Sequence, residues 1–341
     1  MAILSPDSYR GNVVTSRIRL ARNVEGYPFK VRDEVLARDL VKKVNRALVK
    51  CDTFNLYYMS NLKGLELEAM KERNVISPAL IENRACGAAL VNQDESLSVM
   101  ICEEDAIREQ CFIKGFHLMD AYKRLDIIDD ALSKNVDIAF DKDFGYLTAC
   151  PTNVGTGMRA SVMMFLPALT ENGKLNELAH EVEQRGLTVR GVYGEGSQAE
   201  GCMYQISNQI TLGYSEHEII NAVETMVVKI CQAEKEESKR LYQGKNELRT
   251  LDRASKAYGV LTNAVLLSYD EFIRHVSSLK LGVMSGVIGA ESIESLDDLI
   301  FRLRPANLCY EYGRALSATD RALYRAKVTS QKIKRIIKEI E

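Results

Sequence analysis

Thr15-Ser16-Arg17-Ile18-Arg19 alternates polar and apolar side chains and places two arginines two positions apart. In an extended strand, residues i and i+2 project from the same face, so the two guanidinium groups are expected side by side. Two planar, permanently charged forks on one face suit a polyphosphate ligand. A surface strand whose arginines form salt bridges is the alternative that this pattern leaves open. Arg22 lies outside the alternation.

Residues 150–161 read Cys-Pro-Thr-Asn-Val-Gly-Thr-Gly-Met-Arg-Ala-Ser and combine a thiol, a glycine-rich turn and an arginine. Glycines let backbone amides approach a ligand, and the guanidinium of Arg159 matches phosphate oxygens. The segment from Gly155 to Ala160 also fits the dinucleotide-binding pattern G-x-G-x-x-G/A, with a helix-like run after it. That match is weak, because no single acidic residue stands out about 20 positions on. A lysine-bearing phosphate loop does not occur, so arginines would have to neutralise a bound nucleotide.

Three consecutive acids, Glu103-Glu104-Asp105, follow the strand-like run Leu97–Ile101 and precede Arg108. Neighbouring carboxylates repel one another, so the cluster indicates a cation or a functional role. A helix N-terminus that stabilises one or two of them is the structural alternative. Glu195 is a further acidic residue at the end of a strand-like run, before a glycine turn.

Composition and net charge argue against two classes of binding partner, nucleic acid and anionic membranes. The 341 residues are 46% hydrophobic and 27% charged, which is ordinary for a soluble protein long enough for two domains. A formal net charge of −2 gives no electrostatic reason to expect nucleic acid or an anionic membrane. Apolar runs fall short of the roughly 18 residues of a membrane span, and the N-terminus does not resemble a secretory signal. We expect a cytoplasmic protein with neither a membrane nor nucleic acid as a direct partner.

The eight cysteines contain no C-x-x-C spacing, and the four histidines are dispersed along the chain. This distribution predicts reduced thiols and no metal site built from protein side chains. Most of the cysteines are expected to be buried as small hydrophobic residues. Cys150, beside the glycine-rich turn, is the exception.

Strand-like and helix-like segments alternate through the first two thirds of the chain. Apolar residues recur at helical spacing between Val35 and Leu48, and again from Ile219 to Ile230 after a capping box at Ser215-x-x-Glu218. The tail of the second helix, Gln232 to Arg240, alternates acids and bases, which is typical of a solvated face. Beyond about residue 236 the pattern is helical. We predict an α+β domain over residues 1–236 and a helical domain over 237–341.

Four ordered motifs carry a resemblance to a known family. They are Ser16-Arg-Ile-Arg-Leu-Ala-Arg-Asn23, Glu103-Glu-Asp105, Cys150-Pro-Thr-Asn-Val-Gly-Thr-Gly157 with Arg159-Ala-Ser-Val162, and Arg190-Gly-Val-Tyr-Gly-Glu195. Across roughly residues 12–237 the chain resembles the ATP:guanidino phosphotransferase superfamily, most closely its bacterial protein-arginine kinase branch. The resemblance implies an α+β fold, with a largely antiparallel sheet flanked by helices and then a smaller all-helical domain.

The resemblance also implies roles for individual residues. Glu104 and Glu195 would orient the acceptor guanidinium and take its proton, with Cys150 beside it. Arg321 and Arg325 match a phosphoarginine-binding motif of the family, although Ala322 stands where that motif has Asp. ATP, with Mg²⁺, would be held by Ser16, Arg17, Arg19, Arg108, Arg159, Ala160, Ser161, Arg190 and Gly191.

Protein arginine is the implied acceptor, because few residues precede the first motif, where small-molecule phosphagen kinases carry a helical domain. The implied partners are protein substrates with exposed arginines, an activator protein, Clp-type protease machinery and a second copy in a homodimer, in a stress-response and protein quality-control role. A kinase for a small guanidino compound is one alternative. A catalytically weakened phosphoarginine-binding adaptor is another, because Cys102 and Ala106 replace family Asn and His residues.

Overall fold

The computed structural model describes residues 9–191 and 200–339. The strands run in chain order as β1 (Val13–Arg22), β2 (Phe54–Tyr58), β3 (Ala88–Asn92), β4 (Leu97–Ile101), β5 (Ile107–Lys114), β6 (Phe140–Asp141), β7 (Gly145–Tyr146), β8 (Met158–Phe165), β9 (Leu187–Gly191), β10 (Met203–Asn208), β11 (Gly289–Ala290) and β12 (Ile337–Glu339). Eight of them form one antiparallel sheet in the order β2-β3-β4-β5-β1-β8-β10-β9. The predicted fold class is confirmed.

The helices are α1 (Glu34–Leu48), α2 (Gly64–Glu72), α3 (Pro78–Glu82), α4 (Leu118–Ser133), α5 (Pro167–Glu171), α6 (Leu175–Glu183), α7 (Glu216–Tyr242), α8 (Glu247–Asn263), α9 (Tyr269–Met284), α10 (Glu294–Arg302), α11 (Pro305–Glu311) and α12 (Ala318–Ile336). Side chains cap the helices that the sequence signals most strongly. Asp33 accepts two backbone amides at the start of α1, and the predicted capping box of Ser215 and Glu218 begins α7.

Strand β1 lies in the middle of the sheet, between β5 and β8. Its alternation separates two environments, because Ile18 and Leu20 are fully buried in the main core while Arg17 and Arg19 point to the opposite face. Each buried aliphatic side chain contributes about 1.5–3 kcal/mol of hydrophobic stabilisation. The apolar face of β1 therefore fixes the register that brings the two arginines together.

Helices cover the sheet on both faces. Helices α1, α4 and α7 pack on the face that carries Ile18, where they complete two adjoining hydrophobic cores. Helix α2 and the residues around α3 cover part of the opposite face through Met70 and Leu80, which pack against Met100 of β4. This second covering leaves the arginine-bearing strands open along the rest of that face, where the pocket described below lies.

The C-terminal helices form a further core that includes sheet residues. Val14, Phe165 and Met203 pack against apolar side chains of α8 to α12. The predicted boundary after residue 236 lies inside α7, which continues to Tyr242. The C-terminal part was predicted to be helical. It also contains a short two-stranded sheet, in which β11 pairs with β12. None of the helices in residues 9–191 and 200–339 is long and apolar enough to cross a membrane.

The charged tail of α7 differs from its predicted solvated face. Glu234 is buried and accepts the amides of Ala168 and Leu169, at 2.8 and 2.9 Å from its two carboxylate oxygens. Glu237 is also buried and receives hydrogen bonds from Asn172 and Lys174. The prediction was wrong at these two positions, because donors from the start of α5 and the following turn satisfy the carboxylates.

A polar contact joins the C-terminal helices to α2. The carboxylate of Glu72 accepts the backbone amides of Ala306 and Asn307, at 2.8–2.9 Å, and so caps α11. The Glu72 carbonyl accepts a hydrogen bond from Arg304, and Arg73 donates to the side chain of Asn307. The first turn of α11 is therefore completed by a residue from the sheet-bearing part of the chain.

A buried ion pair stabilises the C-terminal core. Lys280 on α9 is fully buried, and its Nζ atom lies 2.6 Å from Asp297 of α10 and 4.6 Å from the centre of the Phe165 ring. Removing one partner of such a pair leaves a charge without compensation in a medium of low polarity. The pair therefore links two C-terminal helices to the end of β8.

We predict that Asp297→Ala lowers the free energy of unfolding by about 3–5 kcal/mol, measured by urea denaturation, because Lys280 loses its buried partner. Asp298→Ala is the matched control, since the Asp298 side chain is 53% exposed and pairs with an exposed Lys114. That exposed pair should contribute about 0–1 kcal/mol. Equal losses in the two variants would contradict the assignment.

Candidate active site

Four of the five arginines predicted to bind phosphate line an open pocket on one face of the sheet, and Arg17 lies on the same face beside that lining. Arg19 of β1 stands opposite Arg159 of β8 in the strand register, and Arg108 of β5 lies on the other side of β1. Arg190, on β9, reaches the same pocket. The pocket has a volume of ≈ 280 Å³ and is also lined by Leu20, Ala21, Glu104, Cys150, Thr152, Asn153 and Gly157.

Burial and mutual repulsion act on these guanidinium groups. Burial, and then the charge of Arg108, lowers the pKa of Arg17 to about 9. The pKa of Arg19 is lowered well below its ordinary value by burial and by the neighbouring arginines, and burial followed by Arg190 lowers the pKa of Arg159. An anion bound in the pocket would relieve this repulsion. The arrangement therefore favours an anionic ligand over a cationic one.

Two of these arginines keep donors unused. Within residues 9–191 and 200–339, the buried Nε atoms of Arg17 and Arg19 have no hydrogen-bond partner. A buried donor without a partner costs about 1–3 kcal/mol. Phosphate oxygens would supply the missing acceptors.

The three consecutive acids have three different environments. Glu103 is buried and accepts hydrogen bonds from Arg108 and Ser77. Asp105 is buried and accepts from the Asn23 side chain and the Ala149 amide, at 2.8 and 2.6 Å. Only the side chain of Glu104, which is 44% exposed and 4.0 Å from Arg108, lines the pocket. Of the three, Glu104 is the one placed to meet a substrate.

Cys150 lies at the rim of the pocket, where the chain enters the glycine-rich turn. It is half-buried, and its Sγ atom is 3.1 Å from the Thr152 hydroxyl. A negative charge on the thiol would raise the pKa of Arg159. The thiol and the guanidinium are thus close enough to interact.

The glycine-rich turn is held by close backbone contacts. A Cβ atom on Gly157 would lie 2.6 Å from the Ala21 carbonyl oxygen, and one on Gly155 would lie 2.6 Å from the Thr211 carbonyl oxygen. Both residues also have positive φ angles, 64° and 114°. The helix-like interpretation of the next segment was wrong, because residues 158–165 form β8 in the middle of the sheet. The dinucleotide-binding pattern therefore lacks the helix that its mechanism needs.

Arg22, which lies outside the polar–apolar alternation around Arg17 and Arg19, binds this turn from the buried side. Its fully buried guanidinium makes two hydrogen bonds to Asp129 of α4, at 2.7 and 2.8 Å, and donates to the Thr156 carbonyl at 2.9 Å. Its Cζ atom lies 3.5 Å from the centre of the Tyr146 ring. In the sequence, the only indication of this role is an arginine at the end of a strand that is otherwise buried. Its partner, Asp129, is distant in the sequence.

The remaining predicted residues lie at different distances from the pocket. Ser161 is on the arginine-bearing face, opposite Arg17 in the register. Ser16 is on the other face, where its hydroxyl donates to the Gly115 carbonyl. Ala160 is part of the main core, and its amide donates to Asn208. Gly191 ends β9, and Glu195 lies outside the described residues.

Arg321 and Arg325 lie on α12, in the C-terminal part. Arg325 is buried and donates to the carbonyl oxygens of Leu303 and Leu267, each at 3.1 Å. Arg321 donates to the Leu316 carbonyl at 2.8 Å. These contacts give both arginines a structural role in joining α12 to its neighbours, and phosphoarginine binding there stays a prediction.

A buried acid pair adjoins Arg22. Glu109 of β5 is fully buried, and neither of its carboxylate oxygens has a hydrogen-bond donor within residues 9–191 and 200–339. Burial, and then the charge of Asp129, raises the pKa of Glu109 well above its ordinary value. A neutral Glu109 would carry a hydroxyl that can donate to a neighbouring carboxylate, and Asp129 is the acid whose charge acts on it most.

We predict that Glu109→Gln raises the free energy of unfolding at pH 8 but not near pH 4. A raised carboxyl pKa gives stability that is present below the unfolded pKa, about 4.3, and is lost as pH rises through the folded pKa. Glutamine keeps the neutral donor at every pH. The gain should grow by up to about 1.4 kcal/mol per pH unit in that window, measured by urea denaturation. Glu236→Gln, on the exposed face of α7, is the control; a pH-independent gain would contradict the prediction.

Comparisons with known proteins agree with this geometry. The model of the ATP:guanido phosphotransferase C-terminal catalytic domain matches residues 37–237, and that of the protein-arginine kinase McsB C-terminal domain matches residues 247–340. The protein-arginine kinase of Caldanaerobacter subterraneus subsp. tengcongensis is 40% identical, over 94% of this chain and 96% of the relative. The protein-arginine kinase of Clostridium acetobutylicum is 41% identical, over 92% of this chain and 94% of the relative.

Among solved structures, a lombricine kinase superposes with a TM-score of 0.57 at 26% identity, covering 66% of this chain and 66% of that chain. The duplicated taurocyamine kinase from Schistosoma mansoni gives a TM-score of 0.61 at 23% identity, covering 81% of this chain and 40% of that one. The second likeness concerns the fold alone. From the family match over residues 37–237 and the identity to its relatives, the chain belongs to the ATP:guanido phosphotransferase family.

Proposed function

We propose that this protein transfers the γ-phosphoryl group of ATP to arginine side chains of proteins. One observation carries the proposal: arginines from four strands converge on a pocket that also contains Glu104 and Cys150. The relatives of 40% and 41% identity are named protein-arginine kinases, and a McsB C-terminal domain model matches residues 247–340. The pocket, the family and these names support the same reaction.

The arginine-lined face would hold the phosphates of ATP. Arg17, Arg19 and Arg159 carry lowered pKa values because they are buried close to other cations. Phosphate oxygens accept bidentate hydrogen bonds from such groups and compensate their charge. Electrostatic stabilisation and positioning supply most of the rate in phosphoryl transfer. The unused Nε donors are the structural reason to expect ATP at this place.

Mg²⁺ is proposed to arrive with the nucleotide. Within residues 9–191 and 200–339, no group of three His, Cys, Asp or Glu side chains could hold a metal ion. This suits Mg²⁺, which is usually bound through substrate phosphates and one or two carboxylates rather than by an all-protein cage. Glu104 is the carboxylate that lines the pocket. When bound, the ion would neutralise part of the phosphate charge.

The acceptor guanidinium would enter beside Glu104 and Cys150. Its nitrogen forms a bond to the γ-phosphorus, the bond from that phosphorus to the bridging oxygen breaks, and ADP leaves with the electron pair. A guanidinium proton passes to a carboxylate, and Glu104 is proposed to accept it. Cys150, as a thiolate, would hold the guanidinium by its charge. The matching role of Glu195 stays a prediction.

A kinase for a small guanidino compound is the second candidate. It is favoured by the likeness to the lombricine kinase structure, at 26% identity. The higher identity to proteins named protein-arginine kinases favours the first proposal. The cytoplasmic location, the homodimer, the activator, the Clp-type protease partner and the stress-response role stay predictions.

We expect the protein to convert ATP, Mg²⁺ and an unfolded protein into acid-labile phosphoarginine, detected by mass spectrometry under conditions that preserve the phosphorus–nitrogen bond. Glu104→Gln should lower the rate by about 10²–10⁴-fold, because the proton acceptor is lost. Cys150→Ala should also lower it, through loss of the charge beside the guanidinium.

Two matched variants serve as controls. Glu25→Gln makes the same change at an exposed position, and Cys51→Ala removes another half-buried thiol. Both should retain the rate of the unchanged protein. Full activity in Glu104→Gln would refute the role of Glu104, and phosphorylation of free arginine without any protein acceptor would favour the second candidate.

A further inference from the structure

Gln110 contacts Arg17, which lies next to the pocket-lining Arg19 on the same face of β1, through a neutral atom. It lies on β5, on the same face as Arg108, and stands opposite Arg19 in the register of β1. Its side chain is fully buried. Its Oε1 atom accepts a hydrogen bond from Nη2 of Arg17 at 2.6 Å. Arg17 is thus held by a side chain that carries no charge.

Three other contacts fix the orientation of the Gln110 amide. Its Nε2 atom donates to the carbonyl oxygens of Asn74 and Val75, at 2.7 and 3.0 Å, and to the Ser98 hydroxyl at 2.8 Å. Carbonyl oxygens can only accept hydrogen bonds, so the NH₂ group must face them. The amide oxygen is therefore directed at Arg17 and cannot exchange places with the nitrogen without losing these bonds.

The other close partner of Arg17 is also neutral. The Phe112 ring lies 4.7 Å from Cζ of Arg17, measured to the ring centre. Within residues 9–191 and 200–339, no carboxylate lies within 4.0 Å of the Arg17 guanidinium nitrogens, whereas Arg108 forms an ion pair with Glu103. A carboxylate at position 110 would fix Arg17 equally well but would cancel its charge. The amide fixes the guanidinium and leaves the charge for a ligand.

We propose that Gln110 is a positioning residue for nucleotide binding, which holds Arg17 in place while leaving its positive charge available to a phosphate of ATP. This inference rests on the proposed function, since it assigns ATP to the pocket. It predicts that the chemical identity of residue 110 controls affinity for the nucleotide and not affinity for the protein acceptor.

The test compares Gln110→Glu with the unchanged protein by calorimetric titration with a non-hydrolysable ATP analogue and Mg²⁺. We expect the Kd to rise by about tenfold or more, because an ion pair replaces the charge-assisted contact to phosphate. The KM for ATP should rise in parallel, while the KM for the protein acceptor stays unchanged. The loss should diminish at lower pH, where a protonated glutamic acid again offers a neutral oxygen.

Gln232→Glu is the matched control, because it adds the same charge at an exposed position on α7. Gln110→Met removes the oxygen without adding charge and should raise the Kd to a smaller extent. If Gln110→Glu does not fold, Gln110→Met decides the question. An unchanged Kd in a folded Gln110 variant, or equal rises in KM for ATP and acceptor, would overturn the inference.

The binding measurement also separates this inference from the proposed function. An unchanged protein that binds the ATP analogue but forms no phosphoarginine would contradict the proposed reaction, while the Kd values would still decide the role of Gln110. An unchanged protein that does not bind the analogue would overturn both.

Discussion

The buried ion pair between Arg22 and Asp129 connects the parts on which the site depends. Arg22 ends the central strand, Asp129 belongs to a helix beneath the sheet, and the same guanidinium reaches the Thr156 carbonyl of the glycine-rich turn. Burying a charged pair is costly, and it is tolerated where further hydrogen bonds satisfy the remaining donors. The Ala21 and Thr156 carbonyls do so here. The turn that carries Cys150 is consequently anchored to the centre of the fold.

The opposite face of the sheet has a different balance of charge. There, guanidinium groups lie buried close to one another, and their burial, followed by the charge of the neighbouring arginines, lowers their pKa values. The hydrophobic packing of Ile18 and Leu20 on the other side of the same strand offsets this repulsion. Because the strand is hydrogen-bonded on both edges, the backbone positions of the arginines are fixed close to one another. Hydrophobic packing on one face of the sheet thus stabilises a strand that carries closely spaced positive charges on its other face.

The sequence predicted the features that depend on local pattern. The alternation around Ile18 placed Arg17 and Arg19 on one face, and the capping box at Ser215 marked the start of α7 correctly. Features that depend on tertiary contacts were missed. Arg22 finds its partner in Asp129, and Glu234 finds amides at the start of α5, both distant in sequence. Residues 158–165 were interpreted as helix-like and form β8, because a strand that is largely buried on both sides does not alternate along its whole length.

The hydrogen bonds by which Glu72 caps α11 bear on whether the C-terminal helices can be separated from the rest of the chain. The first amides of that helix are satisfied by a carboxylate from α2, a residue outside the C-terminal family match. If the C-terminal helices were separated from α2, the first amides of α11 would lose the Glu72 carboxylate as their acceptor and would be exposed to solvent. The C-terminal helices are therefore not a freely exchangeable module: a graft of them onto another sheet would have to bring an equivalent acid to the same place.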